Sequence, residues 1–99
     1  MKTEIVTITP EVASWLLANT NDSNPRGINK KMVSQYASDM RSGLWQTTHQ
    51  GIAFTGDKLS DPGKLIDGQH RLSAIVSAGF PVSIVVTFNA PVVNKIDFG

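Results

Sequence analysis

Ninety-nine residues, 40% hydrophobic and 17% charged, have the composition of an ordinary globular domain with one small core. Nine basic against eight acidic residues leave a formal charge of +1, which demands no nucleic-acid partner and leaves room for a local basic patch. The lack of cysteine excludes a disulfide framework, a thiolate nucleophile, and Cys-based zinc or iron–sulfur sites.

No apolar run approaches the roughly 20 residues needed to span a bilayer. The start, MKTEIVTITPE, lacks the basic-then-apolar pattern of a signal peptide. The expectation is a cytoplasmic protein with no membrane partner, residues 1–99 forming a single domain.

Glu4 to Ile8 alternates as a first strand. Thr9-Pro10-Glu11 reads as a helix start, with a hydroxyl cap, Pro at the first helical position and an acid in the positive first turn. That helix should end near Asn19 and turn Val12, Trp15 and Leu16 inward. NTNDSNPRG, Asn19 to Gly27, is rich in turn formers and reads as a mobile loop.

From Asn29 the helical period returns through Val33, Tyr36, Ala37 and Met40, with Gly43 as its stop. Lys30, Lys31 and Arg41 fall off that stripe, on a solvated face. Leu44 to Phe54 looks extended, with a strand from Gln50 or Gly51 and Trp45 as core or a lid over it. TGDKLSDPG, Thr55 to Gly63, is a loop, and Lys64 to Asp67 returns as the second arm of a hairpin. Asp57, Asp61 and Gly63 imitate a calcium loop but have neither its spacing nor its bidentate Glu.

A helix over Leu72–Ala78 follows, with Leu72, Ile75 and Val76 as its buried stripe. In PVSIVVTF, residues Val82, Ile84, Val86 and Phe88 share one face, and Val85 suggests partial cover of the other. APVVNKIDFG could begin another helix. The order β-α-α-β-β-α-β predicts an α/β (α+β) fold, a small mixed sheet with about three packed helices.

The chemistry concentrates in KLIDGQHRLSA, where a strand ends in Gly and feeds a helix. Backbone N–H groups at the positive end of a helix attract phosphate or another anion. Gly68 lacks a Cβ and lets the backbone and a ligand approach closely. Arg71 brings a forked guanidinium suited to phosphate oxygens. His70 can donate, accept or shuttle a proton, and Gln69 offers amide donors and an acceptor. Helical spacing puts His70, Ser73 and Ser77 opposite the buried stripe, where His70 could face a cleft. The same residues also fit a plainer reading: Asp67 as helix cap, Arg71 paired with a surface carboxylate such as Asp39, and His70 solvated.

IDGQHRLSA, Ile66 to Ala74, resembles the signature of small DGQHR-type, ParB-like members of the ParB/sulfiredoxin fold superfamily. The resemblance extends upstream through INKKMVSQYASDMRSGLW and GIAF, and covers the chain from about Ile8 to Phe88. It implies a compact α/β domain of phage or mobile-element type, in bacteria or infected bacterial cells, whose glycine-led helix start binds nucleotide phosphates. Partitioning ParB proteins carry G-E-R-R-x-R-A there; here Gly68, Arg71 and Ala74 match, while Gln69, His70 and Ser73 replace the Glu and two Arg. Sulfiredoxin carries Gly-Cys-His-Arg there. Gly68, His70 and Arg71 match it, but Gln69 stands where the nucleophilic Cys would be, which rejects sulfinic-acid repair.

Carried over residue by residue, the resemblance implies that Gly68, Gln69, His70, Arg71 and Ser73 hold phosphate. His70, Asp67 and Gln69 would serve any catalysis, and Asp67 would share a Mg²⁺ ion with a nucleoside triphosphate. The superfamily includes nucleases, NTPases and small-molecule kinases, so the fold leaves the reaction open. His49 and Gln50 would approach the same corner if the hairpin closes. The alternative function is a non-enzymatic module that binds DNA or a host protein through Arg26, Lys30, Lys31 and Arg41. Similar chains continue past NKIDFG, so further site residues could lie beyond Gly99 or come from a second subunit of an oligomer.

Overall fold

Alternation of apolar and small polar residues makes Val82–Phe88 a strand that can be buried on one face, and the fold is arranged around it. The computed structural model describes residues 1–20, 28–45 and 51–91. Its elements are β1 (Lys2–Ile8), α1 (Pro10–Thr20), α2 (Lys30–Arg41), β2 (Ile52–Phe54), β3 (Leu65–Asp67), α3 (Gln69–Ala78) and β4 (Val82–Phe88). This is the expected order and a mixed α+β fold, with three helices and four strands among the described residues.

The sheet order is β1-β4-β2-β3. β4 pairs antiparallel with β1, from Lys2 opposite Phe88 to Ile8 opposite Val82, and parallel with β2, Ile52 opposite Val86. β2 and β3 form the expected antiparallel hairpin, with an irregularity at Ala53 and Phe54. The loop between them is tied by the Gly56 amide on the Pro62 carbonyl (2.7 Å) and the Asp61 amide on the Lys58 carbonyl (3.0 Å). It is a turn, with Asp57 and Asp61 exposed.

Val82, Ile84, Val86 and Phe88 all point into the core, against Ile8, Ile52, Phe54, Leu16, Leu72 and Ile75. On the other face Ser83, Val85 and Thr87 are half-buried, and the neighbouring Thr3, Ile5 and Thr7 of β1 are exposed.

Three positions expected inside are not. Val12 and Trp15 of α1 are exposed, because the buried stripe is Ala13, Leu16 and Thr20, one residue round the helix. Thr20 is tolerated there because its hydroxyl donates to the Leu16 carbonyl at 2.7 Å. Val76 of α3 is 40% exposed while Ala74 is fully buried. α3 packs against both α1 and α2 as well as the sheet, so its buried arc includes a small residue at the helix–helix contact. Helical period identified the buried half of each helix but not its centre.

The boundaries also differ in detail. β1 starts at Lys2, α3 begins at Gln69 rather than Leu72, and β2 is confined to Ile52–Phe54. Residues 21–27, which hold most of the expected loop and Arg26, lie outside the described residues, as do His49, Gln50 and the 92–99 tail. No helix among the described residues is long and apolar enough to cross a membrane.

Candidate anion-binding corner

A single residue, Gly68, turns the end of β3 into the start of α3. Its φ of 112° lies in the region that L side chains rarely adopt. A Cβ there would stand 3.0 Å from Cα and Cγ1 of Ile52. The close approach that glycine permits is therefore made to β2, not to a ligand as the sequence reading supposed. Gly68 caps α3 without a side-chain hydrogen bond, and the first helical bond runs from the Leu72 amide to the Gly68 carbonyl at 2.9 Å. The amides of Gln69, His70 and Arg71 precede that first bond.

Asp67 is the last residue of β3 and does not cap α3. Its exposed carboxylate lies 3.9 Å from Arg71 Nη1. Arg71 turns inward. Its side chain is 11% exposed, and Nη1 donates to the Gly51 carbonyl at 3.1 Å. Its guanidinium carbon stands 5.8 Å from the centre of the Tyr36 ring, and Tyr36 in turn meets Trp45 edge-on at 5.5 Å. The guanidinium thus forms the inner wall of the corner and links Gly51, just before β2, with α2 and α3. Asp39, the surface partner considered from sequence, instead accepts from Gln35 Nε2 at 3.0 Å.

His70 is not a solvated side chain either. Its Nε2 accepts the backbone N–H of Asn29 at 3.0 Å. Asn29 is the N-cap of α2, its Oδ1 accepting the Met32 amide at 3.1 Å. At the other end, Arg41 Nη1 donates to the Ser77 carbonyl at 3.5 Å. The two contacts fix the geometry: α2 and α3 lie side by side in the same direction, with their N-termini together.

Each helix N-terminus carries about half a positive charge. Neither first turn contains an acidic residue. Lys30 and Lys31 stand exposed in the first turn of α2. Gln69, His70 and Ser73 are half-buried on the first turns of α3. The corner thus gathers Gly68, Gln69, His70, Arg71, Ser73, Lys30 and Lys31, with Asp67 at its edge.

Arg41 is not part of it. It lies at the far end of α2, about 16 Å from Lys30 at roughly 1.5 Å per residue. Arg26, His49 and Gln50 are outside the described residues, although Gly51, next in chain to Gln50, reaches the corner through its carbonyl.

Sequence reasoning missed Asn29, Tyr36 and Gly51 as parts of this corner. Asn29 had a legible signal, an Asx residue at a helix start. Tyr36 and Gly51 had none, since each arrives by tertiary packing. Among the described residues no group of three or more His, Cys, Asp or Glu side chains is placed to hold a metal ion. Among the described residues Asp67 is the single carboxylate at the corner, which fits a Mg²⁺ ion held mainly by phosphate oxygens and water. Comparison with family models, with curated proteins and with solved structures returned no match.

Proposed function

We propose that this protein is a ParB-like nucleotide-binding domain that holds phosphate at the start of α3. One observation carries the reading: two helices running in the same direction end their positive poles at one corner, with Lys30 and Lys31 beside them and no acid in either first turn. Such poles attract anions, and two of them reinforce each other. The resemblance of IDGQHRLSA to the superfamily's phosphate-binding junction supports the same place.

In this reading the Gln69, His70 and Arg71 amides face the phosphate, and Gln69 and Ser73 supply side-chain contacts. Lys30 and Lys31 balance its charge. Arg71 contributes its positive field from below while its Nη1 braces Gly51. Asp67 would share a Mg²⁺ ion with the phosphates. Phosphoryl chemistry depends on positioning and charge stabilisation, so an NTPase or nuclease activity would use the same groups, with Asp67, Gln69 and His70 nearest the reacting atoms.

The test is titration of ATP, CTP and GTP, with and without Mg²⁺, into wild type and a Lys30→Ala/Lys31→Ala variant, with a DNA shift assay beside it. Exposed lysines can be removed without disturbing the core. We expect triphosphate binding that weakens about threefold to tenfold in the variant, with an unchanged melting temperature. Absence of binding at millimolar nucleotide would overturn the reading. Exposure of Lys30, Lys31 and Arg41 along α2 favours the second reading, a DNA- or host-protein-binding module. That reading predicts DNA binding that needs all three cations and ignores nucleotide.

A further inference from the structure

We infer that His70 is held as the neutral imidazole protonated on Nδ1, and that it latches the start of α2 to the start of α3 while offering Nδ1–H to a bound anion. Only the last role rests on the proposed function; the tautomer and the latch follow from the free protein. A backbone N–H can only donate, so the 3.0 Å bond from the Asn29 amide requires a lone pair on Nε2. In a neutral imidazole the proton then sits on the other nitrogen.

Two consequences follow. Nε2 has no proton to deliver, so His70 is a positioning residue and a neutral hydrogen-bond donor rather than a general acid through that nitrogen. Asn29 is also gripped twice, its amide by His70 and its Oδ1 by the Met32 amide of its own helix. The imidazole therefore sets where Lys30 and Lys31 stand relative to Gly68. It connects the two halves of the corner, which come from segments 41 residues apart in the chain.

Two-bond ¹H–¹⁵N correlation of the histidine ring in the full chain tests the tautomer without any substitution. The expected pattern is that of Nδ1–H with an accepting Nε2; an Nε2–H pattern, or one averaged by exchange, overturns the inference. The latch is read from hydrogen exchange at the Asn29 amide. His70→Ala should exchange about tenfold faster than wild type, and His70→Gln, whose amide oxygen can reach the place of Nε2, should return to within about threefold. Equal rates in all three proteins overturn the latch. Inorganic triphosphate added to wild type should then shift Nδ1 and its proton. If the Lys30 and Gln69 amides move and Nδ1 does not, the donor role is wrong and the proposed function stands. If nothing moves, the proposed function fails and takes the donor role with it.

Discussion

Gly68 and Arg71 do structural work that any functional use of the corner must respect. At φ 112°, with Ile52 3.0 Å from the place a Cβ would occupy, Gly68→Ala adds both backbone strain and a contact with β2. We expect a loss of about 2–4 kcal/mol, seen as a fall in Tm on the order of 10–20 °C. Arg71→Ala leaves the Gly51 carbonyl without its donor and uncovers Tyr36, and should cost about 1–3 kcal/mol in a denaturant titration. Arg71→Lys keeps the charge but not the planar fork, and should recover at most part of that loss. A nucleotide-binding defect in either Arg71 variant is informative only once its melting temperature has been measured.

Among the elements, α2 and α3 differ in how they begin. α2 has a side-chain cap, and Asn29→Ala should lower stability by about 1 kcal/mol while Asn29→Asp loses little. α3 has none, because the residue at its cap is chosen for its dihedral angle and its fit against Ile52. The buried arc of α3 gives a sharper test. Leu72 is fully buried and Leu72→Ala should cost about 2–5 kcal/mol. Val76 carries the same helical signature in sequence but is 40% exposed, so Val76→Ala should change stability by less than about 1 kcal/mol. Similar losses from both substitutions would mean that α3 is rotated relative to the arrangement described.

At the scale of the molecule, β4 is the last strand among the described residues and lies between β1 and β2. Its four inward residues meet apolar side chains from both helices and strands of the earlier chain. A chain ending at Gly79 would keep three helices but lose the strand that joins β1 to β2. We expect it to show no dispersed amide spectrum and no cooperative thermal transition. Gly51 reports on the same joint: a Cβ there would collide with the Val85 backbone carbonyl, so Gly51→Ala should disturb the β2–β4 pairing and with it the carbonyl that Arg71 holds.

Local chemistry made the element order readable. Pro10 after Thr9, Gly43 and Gly79 after apolar periods, and the two-residue period of Val82 to Phe88 each act through neighbours in the chain, so one sequence suffices to see them. The Gly68 to Arg71 junction was legible for the same reason. Which way each group there points was not. Arg71 faces Gly51, His70 faces Asn29, and Val12 and Val76 lie outside the core because of partners distant in sequence. Periodicity gives the phase of a helix only to within a residue or so, and packing against other elements chooses the rest. The sequence alone determined the order of helices and strands and the place of the glycine-led corner. The shared direction of α2 and α3, which gathers two positive poles there, was decided only by tertiary structure, because helix dipoles add according to how helices lie in space.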